Sequence, residues 1–158
     1  MLVSNAEVCG GPLPTVYDVP VDAFIARLAL ELKEGVEQVR PPLWAAYVKT
    51  GVHAERQPNS EDWWYVRAAS ILRKLYVKGP AGVSRISRAY GGRTGGRLAP
   101  GHARSGSSNI VRKILQQLEA AGLVTKNKRG RVLTDKGRSL LDQVATDLRK
   151  SMEKKIES

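Results

Sequence analysis

Apolar residues recur at spacings of three and four along most of this chain, and each recurrence predicts a helix. Phe24, Ile25, Leu28, Ala29 and Leu32 form a stripe over 21–34, bounded by Val19-Pro20 and Gly35. Val39 to Pro41 is extended, because a residue before proline is pushed out of helical geometry. Pro42 to Lys49 then predicts a short helix with proline in its first turn. Asn59 or Ser60 is the expected cap of a helix running to Lys78, where Gly79-Pro80 stops it. Its inner stripe is Trp64, Ala68, Ile71, Leu72 and Leu75. Trp63, Val66, Ala69, Tyr76 and Val77 leave little of the remainder polar, so this helix is expected at the centre of the core, surrounded by others. The exception is one polar strip, Arg67, Ser70, Lys74 and Lys78.

Val83–Tyr90 predicts a shorter helix, with Ile86 and Tyr90 inward, ended by Gly91-Gly92. Residues 93–108 have no periodicity and are rich in glycine and arginine, which predicts a long loop. Ser107 or Ser108 can cap the next helix, whose stripe is Ile110, Val111, Ile114, Leu115 and Leu118. Asn109, Arg112, Lys113, Gln116 and Gln117 fall on its other side. Gly122 suits the left-handed position that ends a helix. Residues 123–126 and 131–134 pair as a hairpin across a polar turn, and Thr134 caps a last helix to about 150. Helix then hairpin is the winged-helix pattern. The expected fold is mainly α, a winged-helix-like helical domain with a short β-hairpin wing and extra N-terminal helices. Residues 1–14 are expected to be a flexible extension, 15–150 a single domain and 151–158 a frayed charged tail.

Charge changes the picture. The net charge is +11, but residues 63–118 hold eleven Lys and Arg and no Asp or Glu. A field of one sign over a folded segment attracts polyanions, nucleic acid first among them. Arg93, Arg97, Arg104 and the start of the helix at 108 would form one phosphate-binding surface. Cys9 is the only cysteine, so neither an intrachain disulfide nor a cysteine zinc cluster is possible, and a reducing compartment fits. No apolar run approaches the ~20 residues that span a bilayer, and the N-terminus lacks the pattern of a secretory signal. A cytoplasmic protein with no membrane partner is expected. Neither a phosphate-binding G-x-x-x-x-G-K motif, a G-x-S-x-G nor an H-E-x-x-H is present, and His53 has no second ligand in sequence reach. No catalytic residue, metal or cofactor is expected, and the protein is not read as an enzyme.

Several segments carry a resemblance. WAAYVKTGVHAERQP, DWWYVRAAS, YVKGPAGVSRISRAYGGR, H-x-x-x-G-S, IVRKILQQLE, GLV and GR-x-LT-x-x-GR occur in this order over about 15–148. Together they resemble the eukaryotic and archaeal small-subunit ribosomal protein nineteen-e family. The resemblance implies a helical, winged-helix-like fold and binding of ribosomal RNA in the head of the small subunit, with a part in maturing that subunit. It carries RNA-facing roles onto Arg67, Arg93, Arg112 and Lys113. With the basic residues of the same stretch, the expected RNA-binding set is Arg67, Lys74, Lys78, Arg85, Arg88, Arg93, Arg97, His102, Arg104, Arg112 and Lys113. Expected partners are small-subunit ribosomal RNA and neighbouring ribosomal proteins of the head, with a monomer off the ribosome. The alternative is a winged-helix DNA-binding transcription regulator, which would place Asn109, Arg112, Lys113 and Gln116 on base edges. A third reading has the wing bind protein.

Overall fold

Trp64 is fully buried, and three segments close on it. A computed structural model describes residues 14–95 and 100–157. Trp64 lies on α2 (Trp63–Lys78), whose Ala68, Ala69, Ile71, Leu72 and Leu75 are buried with it. Trp44 and Trp63 meet its ring edge-on at 5.6 and 5.3 Å, the arrangement that aromatic quadrupoles favour. Its indole N–H donates to Gln117 Oε1 at 2.9 Å, and the Gln117 amide donates onward to the Arg40 carbonyl at 2.6 Å. Val66 and Val77 remain exposed, so α2 is central but not enclosed on every side.

Helix α1 (Val21–Gly35) lies along α2 and buries Phe24, Leu28, Ala29 and Leu32, the stripe its periodicity predicts. Helix α3 (Val83–Ala89) buries Ile86. Helix α4 (Ser108–Ala120) buries all five residues of its stripe. Ser107 caps it, its side chain accepting from the Ile110 N–H. At the other end Gly122 sits at φ 72°. The amides of Gly122 and Leu123 donate to the carbonyls of Glu119 and Leu118, which satisfies two groups a helix end leaves open. The wing follows, β3 (Val124–Asn127) antiparallel to β4 (Gly130–Leu133) in the register Val124 to Leu133. The wing also reaches the α2–α3 corner, where Ala81 and Arg131 exchange two backbone hydrogen bonds of 3.1 and 2.9 Å. Thr134 caps α5 (Asp135–Glu157), accepting from the Gly137 amide at 3.1 Å. Leu141, Val144 and Ala145 of α5 complete the core beside α1.

Four expectations need correction. Helix α2 starts at Trp63, not after a cap at 59 or 60; Asp62 makes no side-chain cap bond and instead pairs with Lys33 of α1 at 2.8 Å. The short helix after Pro42 is a single 3₁₀ turn, Leu43–Ala46. Residues 93–108 are not one loop: Gly92–Thr94 (β1) and His102–Arg104 (β2) pair as a second hairpin. Helix α5 continues through Glu157 rather than ending near 150, with Arg149 and Glu153 paired one turn apart at 3.1 Å. Residues 1–13 and Arg97 lie outside the described residues.

Truncating Trp64 removes a fully buried ring and leaves the Gln117 carbonyl without its donor. Trp64→Ala is expected to lower unfolding stability by about 3–5 kcal/mol in a denaturant titration. An unchanged midpoint would mean that the core does not depend on this ring.

Candidate nucleic-acid interface

The polar strip of α2 is covered in part by one residue of the next helix. Tyr90, at the end of α3, lies beneath two cations, with the Arg67 guanidinium carbon 4.1 Å and the Lys74 Nζ 4.8 Å from its ring centroid. Its hydroxyl donates to Ser70 Oγ at 2.8 Å, so all three α2 residues meet the same side chain. Cation–π attraction holds both charges at defined places on the surface. Burial pushes the Tyr90 phenol above its ordinary range, with the Ser70 bond and Arg67 opposing. Burial likewise draws the Arg67 guanidinium down, with Tyr90 opposing. Lys74 is held below the usual lysine value by burial first, and then by the charges of Lys78, Arg67 and Arg73.

Two grooves extend the strip. One, of about 280 Å³, is lined by Lys74, Lys78, Arg85 and Arg88 over an apolar floor of Ala81, Ile86 and Ala89. The other, of about 690 Å³, brings Arg88 together with Arg93 and Arg104 of the β1–β2 hairpin. Lys74 and Arg88 are shared, so seven of the expected residues form a continuous band from α2 across α3 to the hairpin. Arg85 donates to the Pro80 carbonyl and Arg93 to the Gly101 carbonyl, both with neutral partners. Among the described residues, every ion pair lies outside 63–118. Arg112 and Lys113 are exposed on α4, as are Asn109 and Gln116, and Arg112 and Lys113 border neither groove. His102 is exposed on β2, where its carbonyl accepts from Thr94, and its side chain lines neither groove.

Close backbone contact positions the hairpin. The Gly106 amide donates to the Ser87 carbonyl at 3.0 Å, and its carbonyl accepts from the Ser87 hydroxyl. The Ser107 amide donates to Thr50 at 2.9 Å. A Cβ on Gly106 would stand 2.7 Å from the Tyr90 carbonyl oxygen, and one on Gly91 would collide with that of Arg104. Only glycine lets α3, β2 and the start of α4 converge there. His53 wedges into the same junction: a Cβ on Gly51 or Gly92 would meet its ring. Sequence reasoning missed Tyr90 as a platform. Its spacing of four from Ile86 marks it only as inward-facing, and the neighbouring Gly91-Gly92 was the available signal.

Two outcomes are expected. Gly106→Ala crowds backbone against backbone and should cost about 1–3 kcal/mol of unfolding stability, read in a denaturant titration. Lys74→Met should raise the melting temperature. A lysine whose folded value is lowered binds its proton less tightly than in the unfolded chain, so its charge opposes folding below both values. That opposition fades as pH rises from the folded value toward the unfolded one. A lower melting temperature for Lys74→Met would show that the ammonium stabilises this fold.

A family model described as ribosomal protein S19e matches residues 15–151. The small ribosomal subunit protein eS19 of Aeropyrum pernix is 51% identical over 139 residues, covering 87% of this chain and 91% of that protein. Its counterpart in Thermoplasma volcanium is 44% identical over 141 residues, covering 89% of this chain and 93% of the relative. That of Haloarcula marismortui is 45% identical over 141 residues, covering 86% and 92%. With a matching model over most of its length and relatives at this identity, the chain belongs to the ribosomal protein S19e family.

Proposed function

We propose that this chain is a structural constituent of the small ribosomal subunit, bound to the ribosome in the cytoplasm, that holds ribosomal RNA on the band from Arg67 to Arg104. Membership of the S19e family makes it a ribosomal protein of the small subunit. The observation that carries the RNA role is the band itself. Lys74, Lys78, Arg85, Arg88, Arg93 and Arg104 lie in connected grooves, Arg67 joins them over the shared Tyr90 ring, and none of the seven has a carboxylate partner among the described residues. Phosphates are the natural counter-charge, and structured RNA is recognised mainly through its backbone and groove shape. Neutralising those phosphates releases counterions, which supplies much of the affinity.

The protein's part in this is positional. The core fixes α2 and α3, Tyr90 holds Arg67 and Lys74, and the glycine junction fixes the hairpin. No covalent step is needed, so the role is binding, not catalysis. Arg97, His102, Arg112 and Lys113 belong to the proposed RNA-facing set, the last two on a separate wall formed by α4. Residues 15–150 act as one RNA-binding domain, monomeric off the ribosome, beside neighbouring ribosomal proteins of the subunit head. Holding RNA in a fixed shape is also how it would support maturation of the subunit. The family to which the chain belongs leaves the DNA-regulator alternative without support.

Arg67→Glu is expected to stay folded and to lose co-sedimentation with small subunits in a sucrose gradient. Binding of structured RNA should weaken steeply with salt, and removing one phosphate contact should flatten the log–log slope by about 1. Normal incorporation of Arg67→Glu, or affinity indifferent to salt, would overturn this function.

A further inference from the structure

A second groove lies apart from the basic band and combines different chemistry. It holds about 690 Å³ between the 3₁₀ turn and the start of α4, with Trp44, Tyr47, Val48 and Lys49 on one wall and Ser107 and Asn109 on the other. Tyr47 is 80% exposed, an unusual state for a large aromatic side chain. The wall that carries it is anchored: Trp44 packs edge-on against buried Trp64, and the Tyr47 amide donates to the Trp44 carbonyl at 3.1 Å. The ring is therefore presented from a fixed backbone, which lowers the ordering cost of binding.

The charge around the groove selects the occupant. None of its lining residues is acidic. Arg112 and Lys113 follow Asn109 at spacings of three and four on α4, so they continue the same ridge. Both are exposed, and neither they nor Lys49 has a carboxylate partner among the described residues. An apolar protein segment would cover Tyr47 but leave three cations unmatched. A nucleotide satisfies both, with a base on the ring and phosphates on the cations.

We infer that this groove takes an unpaired nucleotide of RNA, its base stacked on Tyr47 and its flanking phosphates on Lys49, Arg112 and Lys113. Bases in a duplex offer no free face, so the ligand is a loop, bulge or single strand. Stacking tolerates any base, since each has a π-face. The inference rests on the reading of the chain as an RNA-binding protein but assigns a site distinct from the band. It also gives Arg112 and Lys113 a place that the band does not.

The test uses the full chain and two labelled probes in fluorescence anisotropy, a short oligouridine strand and a blunt RNA duplex of mixed sequence. Tyr47→Ala should weaken binding of the strand by about tenfold or more, the range found for loss of one base–aromatic stack. Duplex binding should not change, and Tyr47→Phe should keep full affinity for both. Arg67→Glu should do the reverse, weakening the duplex more than the strand. Because Tyr47 is exposed, its truncation should leave the melting temperature unchanged. Undiminished strand binding by Tyr47→Ala, or an equal loss on both probes, overturns the site. So does the outcome in which Tyr47→Ala leaves both RNAs bound but reduces incorporation into subunits, since the groove would then hold a protein neighbour. Duplex binding insensitive to Arg67→Glu would instead count against the band.

Discussion

The constraint on which the packing of the helices turns is the polar link from buried Trp64 to Gln117 and on, at the surface, to the Arg40 carbonyl. An indole N–H left unpaired in an apolar interior would cost about 1–3 kcal/mol. Gln117 answers it from α4 and spends its own amide on the segment before the 3₁₀ turn. One side chain thus ties α2, α4 and that segment into a single register. The apolar contacts supply most of the stabilisation, but they do not specify direction, whereas this bond does.

The second constraint is that stability and charge oppose one another on the same helix. Helix α2 buries its inner face against α1 and α4 while its outer strip carries cations that repel each other and are partly desolvated. The fold meets that cost locally through the Tyr90 ring, which attracts Arg67 and Lys74 without cancelling their charge. A carboxylate in that place would stabilise the isolated protein better and would spoil it for a polyanion. The acidic residues are used elsewhere: Glu119 pairs with Arg131 behind the wing at 2.8 Å, and Asp62 with Lys33.

Much of the fold was legible in the sequence because burial is periodic and caps are local. The stripe of α4, its Ser107 cap, the Gly122 stop and the wing all follow from residues within a few positions of one another. The β1–β2 hairpin was not legible. Its strands have three residues each, β2 is exposed throughout, and no apolar alternation marks them. Contacts made by Gly91 and Gly106 with distant backbone fix it instead. Gln117 was placed with the outward polar residues because its partner on α2 is 53 positions away. For the candidate interface, composition marked residues 63–118, and six of that segment's cations line connected grooves, with Arg67 beside them over Tyr90. It could not order them, nor separate Arg112 and Lys113, because groove continuity is a property of packing between helices.

The two hydrogen bonds between Ala81 and Arg131 make the wing more than a hairpin. They bridge the α2–α3 corner to β4 at a single antiparallel pair, while Glu119 of α4 holds the Arg131 side chain at 2.8 Å. Opening the wing therefore also breaks its bonds to the corner, so the Ala81 and Arg131 amides are expected to exchange more slowly than those of an untethered hairpin. The element that most resembles a mobile reader of nucleic acid is thereby a brace, and any adaptation to a bound strand falls to the surfaces on either side of it.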